Sequence, residues 1–313
     1  MNIDGLKYRS LCFSVRAMSW IPLPAGRFMG RMLGQAGALV PAPRLRVALE
    51  NMKTSFGGEM DMESIIRLYR RMFRHFGQML FEVPHILRMS PENQESYVRF
   101  ENEHYILDAL RRGRGLFVLT AHFGNWELFS AAFSLRYNGG GVVVRPVDSP
   151  AVNRILEKLR SRFGAEIIPK QKGMRRILAA VRRGMAVGIL LDQNVDWYEG
   201  VFVPFLGRRA CTNKGLALLA LKTGAPVIPA FTVRRPDQGY VVRFEPPLKL
   251  HNTGDKRRDV EANTALFTAT IERFVRAYPD HWFWFHRRWK TKSYCPLPWA
   301  GEDSTGSKDR SPV

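Results

Sequence analysis

Hydrophobic positions along this chain change their rhythm near residue 115. Before it they recur every three or four residues, the spacing of one helical face. Residues 1–40 read as short amphipathic helices ended by Pro41 and Pro43: Phe28, Met29, Met32, Leu33, Ala36, Leu39 and Val40 share one side, and Gly26, Gly30 and Gly34 stack on another. Residues 61–88 read as a long helix, with Ile65, Leu68, Tyr69, Met72, Phe73, Phe76 and Leu80 on one broad face. Residues 101–112 read as a further helix, stopped by Gly113.

After 115, short apolar runs alternate with helical stretches. The pattern predicts strands at 115–121, 141–145, 165–169, 186–192, 226–233 and 240–245, and helices at 126–136, 150–163, 173–184, 213–223 and 258–278. Ser149-Pro150 is a cap followed by a first-turn proline, and Gly164 and Gly224 are helix stops. Such alternation predicts an α/β fold, a largely parallel mixed sheet flanked by helices on both faces, with the N-terminal amphipathic helices added to it. Sites on sheets of this kind gather beyond the carboxyl ends of the strands. His122, Arg145 and Asp192 each fall at such an end.

Composition narrows the partners. The chain has 48 basic and 28 acidic residues in 313, a formal charge of +20, spread in pairs and short clusters. An excess of this size implies an acidic partner: nucleic acid, anionic lipid, or an acidic protein or substrate. Cys12, Cys211 and Cys295 lie far apart and fit neither a disulfide framework nor a metal spacing, which points to a reducing compartment. No signal peptide and no apolar run long enough to span a bilayer is present. For residues 1–40 two readings stand. One is an in-plane membrane helix with Arg27 and Arg31 on head groups. The other is helices packed on the body, their glycines allowing close approach.

The most informative run is Thr-Ala-His-Phe-Gly-Asn-Trp-Glu, residues 120–127, at a strand-to-helix junction. His122 and Glu127 would point about 140° apart on a continuous helix, so they meet only if Gly124-Asn125 turns the chain and caps the next helix. An imidazole with a carboxylate to orient it is the minimal kit for deprotonating a hydroxyl. No second His or Cys sits at metal-binding spacing, so no metal or cofactor is expected. Arg145 ends a Val-rich strand. It is read as binding a phosphate or bracing an oxyanion, or else as a salt bridge to Asp148 or Glu127. Asp192 ends a buried strand and either orients a substrate hydroxyl or holds a structural Arg. Residues 281–290 interleave Trp282, Phe283, Trp284, Phe285 and Trp289 with His281, His286, Arg287, Arg288 and Lys290. That block suits core, membrane interface or base stacking.

His-x4-Glu at a strand–helix junction resembles the signature of glycerolipid-type acyltransferases. Further stretches resemble the lipid A late acyltransferases of lauroyl/myristoyl type: 142–150, 159–164, Leu-Leu-Asp-Gln at 190–193, Gly-Val-Phe-Val-Pro-Phe-Leu-Gly at 200–207, 223–229 and 281–290. The resemblance implies an acyltransferase using acyl carrier protein as donor and a hydroxyl of a phosphorylated lipid A precursor as acceptor, at the cytoplasmic face of an inner membrane, without a covalent intermediate. It implies His122 as general base with Glu127 holding the ring, and a backbone N–H near Gly124 and Asn125, or Arg145, at the oxyanion. It keeps Arg160 and Arg162 as binders of acidic groups, although Arg at a helix end also simply complements the dipole. Residues 200–207 read as a greasy loop or short strand, either core or, as the resemblance implies, a wall of the acyl pocket. The implied division is membrane-associating helices at 1–45, an acyltransferase domain at 46–298 and a disordered tail at 299–313. Alternatives left open are a same-branch enzyme acting on a phosphatidylinositol mannoside, ornithine or glycerol lipid, and a basic nucleic-acid-binding protein. The base-stacking reading of 281–290 is set aside on the strength of the resemblance, so no nucleic acid is expected, and the oligomeric state is left unassigned.

Overall fold

The computed structural model describes residues 3–40, 42–237 and 239–292. The tail at 299–313 and Cys295 lie outside the described residues. Four helices come first: α1 (Ile3–Met18), α2 (Leu23–Gly37), α3 (Pro43–Phe56) and α4 (Met62–Glu82), the last running on as a 3-10 turn over Val83–Arg88. A short α5 (Gln94–Tyr97) leads into β1 (Val98–Glu101) and α6 (His104–Arg111). Then follow β2 (Leu116–Thr120), α7 (Trp126–Arg136), β3 (Gly140–Val144), α8 (Pro150–Arg160), β4 (Ala165–Pro169), α9 (Met174–Arg182) and β5 (Ala186–Leu190). The chain continues through the hairpin β6 (Gly200–Phe205) and β7 (Arg208–Asn213), α10 (Gly215–Thr223), β8 (Val227–Arg234), β9 (Tyr240–Phe244) and α11 (Lys256–Ala277).

Every strand and helix expected after residue 115 is present within a few residues of its expected bounds. Four helices and strands lie outside the expected pattern: α3, α5, β1 and β7. Helix α3 opens at Pro43, which also serves as a first-turn residue because its missing N–H has no helical partner there. Strand β1 is only four residues long, and Glu101, expected to start a helix, ends it instead. The greasy stretch 200–207 is one arm of the antiparallel β6–β7 pair. Helix α8 does begin at Pro150, but the Ser149 side chain makes no capping bond.

The main sheet has the order β1-β9-β8-β2-β5-β3-β4. All its pairings are parallel except β8 with β9. β2 lies at its centre and is buried along its whole length. Because side chains alternate faces, Leu116 and Val118 join a core under α6, α7 and α8, while Phe117 and Leu119 join the core under α3, α4, α9, α10 and α11. Each such side chain, fully buried, contributes about 2 kcal/mol.

Helix α2 reaches this body by its glycines. A Cβ on Gly30 or Gly34 would run into the backbone of α4 around Gly77 and Phe73, so the two helices touch backbone to backbone. Its other face carries Phe28, Met29, Met32 and Leu33, all exposed. Arg27 points inward, not toward a surface: its Nε donates to Glu82 at 2.8 Å. Glu82 has no solvent exposure and also accepts from Arg234 (2.6 and 3.0 Å) and the Tyr240 hydroxyl (2.6 Å). Burial pushes this carboxyl's pKa up, but Arg234, Tyr240 and Arg27 outweigh it and hold it below the usual range. The carboxylate therefore ties α2 and α4 to β8 and β9.

Glu82→Ala leaves two buried guanidinium groups without their partner. It should cost about 3–5 kcal/mol, read from chemical denaturation. A loss under 1 kcal/mol would mean that the cluster is dispensable.

Candidate active site

Strands β2 and β5 pair in parallel with Thr120 beside Leu190, and the Leu191 N–H donates to the Thr120 carbonyl at 3.1 Å. Two residues further along each strand stand His122 and Asp192, so the sheet register itself brings them together. His122 Nδ1 lies 2.8 Å from Asp192 Oδ1, and the His122 backbone N–H donates to Oδ2 at 3.1 Å. The Trp282 indole N–H donates to the same Oδ2 at 2.8 Å. Asp192 is fully buried and His122 partly exposed. Burial raises the Asp192 pKa, but the His122 ring, His286 and the Trp282 donor outweigh that and hold it well below the carboxylate range. An ionised carboxylate only accepts. The His122 Nδ1 therefore carries the proton, and Nε2 presents its lone pair to the open side.

The turn that follows is fixed from two directions. Gly124 has φ +60°, and a Cβ there would collide with the Thr232 carbonyl, so only glycine fits. Its N–H donates to the His281 carbonyl at 2.9 Å, and the Phe283 N–H donates to the His122 carbonyl at 2.9 Å. Asn125 is buried and caps α7, accepting from the Leu128 N–H at 3.1 Å while its amide reaches Glu82 at 3.4 Å. The C-terminal segment that pins the turn is itself gripped by α3, whose Asn51 amide donates to the carbonyls of Trp284 (3.0 Å) and His286 (2.9 Å).

Several expected roles change. Glu127 does not hold the His122 ring: its carboxylate is taken by Arg160 (Nε at 2.8 Å, with a second short bond) and by the Trp126 indole at 3.1 Å. The start of α7 aims it across to α8, and the register puts Asp192 under the ring instead. Arg160, so neutralised, is not left free for an acidic ligand. Among the described residues Asp192 forms no salt bridge with an Arg, and its carboxylate is occupied by the His122 ring, the His122 N–H and the Trp282 indole. The Gly124 backbone N–H and the Asn125 side-chain amide are spent within the fold. Arg145 is exposed at the end of β3, two strands from His122, and among the described residues forms no salt bridge with Asp148 or Glu127. Arg162 lies exposed over the Phe163 ring, 5.4 Å to its centroid.

Other participants went unassigned from sequence: Trp282, His286, Arg288 and Gln193. His286 Nε2 donates to the Asp192 carbonyl at 3.0 Å, and burial lowers its pKa to about 4, so it stays neutral. Arg288 is fully buried and donates to the carbonyls of Cys211 (2.8 Å) and Gln193 (3.3 Å). Gln193 is exposed, its amide nitrogen 3.4 Å from His122 Nε2. The signal for the first three was the aromatic–basic block at 281–290, whose alternate residues turn inward: Trp282, Trp284 and Arg288 have no exposure.

A partly exposed His on a buried Asp, with one open ring nitrogen at the carboxyl edge of a largely parallel sheet, is the equipment of a general-base enzyme. The chain belongs to the bacterial lipid A biosynthesis acyltransferase family, whose profile matches residues 10–291, and it is an acyltransferase. It is 25% identical over 274 residues to the lipid A biosynthesis lauroyltransferase of Escherichia coli K12, with 87% of each chain covered. It is 23% identical over 274 residues to the palmitoleoyltransferase of the same organism, again with 87% of each covered. A phosphatidylinositol mannoside acyltransferase of Mycolicibacterium smegmatis is 26% identical over 191 residues, 59% of this chain and 60% of the relative.

Asp192→Asn should lower turnover about 10³- to 10⁴-fold, because the ring loses its tautomer. Glu127→Gln should instead cost stability, about 3 kcal/mol for an uncompensated buried Arg160, with turnover per folded molecule within about tenfold of wild type. Initial rates and melts on the same preparations decide. Equal turnover losses with unchanged melts would return the orienting role to Glu127.

His286 gives a pH signature. Its pKa falls from 6.5 in the unfolded chain to about 4 in the fold. The unfolded state therefore binds more protons across that window, and stability drops as pH falls through it. Melting temperatures should decline on acidification between these limits, and His286→Asn should flatten the decline.

Proposed function

We propose that the enzyme transfers a fatty acyl chain from acyl carrier protein to a hydroxyl of a lipid A precursor, as a peripheral or monotopic protein on the cytoplasmic face of the inner membrane. The observation that carries this reading is the His122–Asp192 pair, with Nδ1–H held and Nε2 open. His122 Nε2 takes the acceptor's proton while the oxygen attacks the thioester carbonyl. Asp192 stabilises the imidazolium so formed. The C–S bond then breaks, and the ring returns its proton to the thiolate. General-base help of this kind contributes about 10²- to 10⁴-fold, or roughly 3–5 kcal/mol of barrier.

The family supports lipid A chemistry, and the lauroyl- and palmitoleoyltransferase relatives support a fatty acyl donor. Among the described residues no helix is long and apolar enough to cross a membrane. The exposed Phe28, Met29, Met32 and Leu33 of α2, joined by Leu39 and Val40, supply an apolar face suited to lying in an anionic bilayer surface. Exposed Arg145 follows β3, and exposed Lys172 and Arg175 lie in the turn after β4 and the first turn of α9. They favour an acidic donor carrying its acyl group on an extended arm. Burial of Trp282, Trp284 and Arg288 counts against base stacking on those side chains. The mycobacterial relative keeps a mannoside acceptor as the nearer alternative.

The test is reconstitution in vesicles with lauroyl acyl carrier protein and a phosphorylated lipid A precursor, followed by mass spectrometry. One added acyl chain is expected with wild type and none with folded His122→Ala. A product only on phosphatidylinositol mannoside would move the acceptor. No product from wild type on any glycolipid would sink the reading.

A further inference from the structure

The reaction needs a donor for the charge that develops on the thioester oxygen, and most side-chain donors around His122 are already used. The Trp126 indole bonds Glu127, the Trp282 indole bonds Asp192, and Arg160 is locked to Glu127. The Asn125 amide is buried against Glu82, and the Gly124 N–H is held by the His281 carbonyl.

Gln193 differs. It follows Asp192 directly, so the strand that delivers the carboxylate beneath the ring also delivers this amide beside it. Its backbone carbonyl is held by Arg288 at 3.3 Å and that of Asp192 by His286 at 3.0 Å, which fixes the base of the side chain. The amide nitrogen lies 3.4 Å from His122 Nε2, on the ring's open side. With Nδ1 protonated, Nε2 is an acceptor, so this contact is a long N–H donation to the lone pair that must take the substrate's proton. An arriving hydroxyl displaces it. The amide N–H, beside Nε2 at 3.4 Å, is then a donor freed at the edge where the acceptor hydroxyl must arrive.

We propose that Gln193 is a catalytic residue, whose amide donates to the oxyanion of the tetrahedral intermediate. The inference rests on the acyl-transfer reading above. The acceptor oxygen bonds to the carbonyl carbon, and the C=O electron pair moves onto the oxygen that faces Gln193. Collapse restores the double bond and expels the thiolate, while the proton passes from the hydroxyl to Nε2 and then to sulfur. In this arrangement Asp192 sets the base and Gln193 the oxyanion, from adjacent positions.

The test compares wild type with Gln193→Ala and Gln193→Glu, using lauroyl acyl carrier protein and measuring both transfer to a lipid A precursor and hydrolysis of the thioester by water. Gln193 is exposed, so melts should be unchanged. Gln193→Ala should lower kcat about 10²- to 10³-fold, the usual effect of losing one oxyanion donor, with KM for donor and acceptor within about threefold. Hydrolysis should fall in parallel, since water attack forms the same oxyanion. Gln193→Glu should be slower than Gln193→Ala, because a carboxylate repels the charge. A kcat within about threefold of wild type in Gln193→Ala overturns the proposal. So does a loss of transfer without a loss of hydrolysis, which would make the amide a holder of the acceptor hydroxyl. If wild type hydrolyses the thioester but transfers to no lipid, the acyl-transfer reading fails while the hydrolysis rates still judge Gln193. Absence of both activities in folded wild type overturns both.

Discussion

One buried carboxylate organises the active edge of this protein. Asp192 has no solvent exposure and receives the His122 ring, the His122 backbone N–H and the Trp282 indole. A charge taken out of water is tolerable only when each of its lone pairs finds a donor. That requirement forces three distant segments together: the end of β2, the end of β5 and the C-terminal stretch after α11. The ring's tautomer follows from the same constraint. Chemistry at Nε2 is a consequence of satisfying a buried anion at Nδ1.

The second buried carboxylate does similar work on the scaffold. Glu82 gathers Arg27, Arg234 and Tyr240 and touches the amide of Asn125, the residue that caps α7. The helix with the exposed apolar face and the turn that carries the base therefore share one anchor. Glycine contacts between α2 and α4 make that joint close and stiff. The exposed face is thus held in a fixed relation to the catalytic turn, not left on a loose arm.

Much of this was legible in the sequence because the period of the pattern reports directly on local structure. The alternation after residue 115 located His122 and Asp192 at strand ends. What local pattern lacks is strand order. β5 slots between β2 and β3, so the partner of His122 comes from 70 residues away and not from the Glu five residues on. Glu127 was the natural candidate by proximity, yet the start of α7 aims it at Arg160. Likewise the 281–290 block showed its aromatic content but not which alternate residues turn inward. Pro43 ended one helix region in the pattern while opening α3, because proline tolerates both positions.

The way the catalytic turn is pinned has a temporal side. Strands β2 and β5 can pair as soon as both exist, but the Gly124 N–H and the His122 carbonyl find their partners in His281 and Phe283, and Asp192 Oδ2 takes its second donor from Trp282. The sheet does not need these contacts in order to form; the dyad needs them in order to be held. Trp282, Trp284 and Trp289 of the same segment also lie in the core with Phe117 and Leu119, so loosening it would open that core and release the dyad together. Catalytic competence and the integrity of the larger core therefore depend on one C-terminal segment.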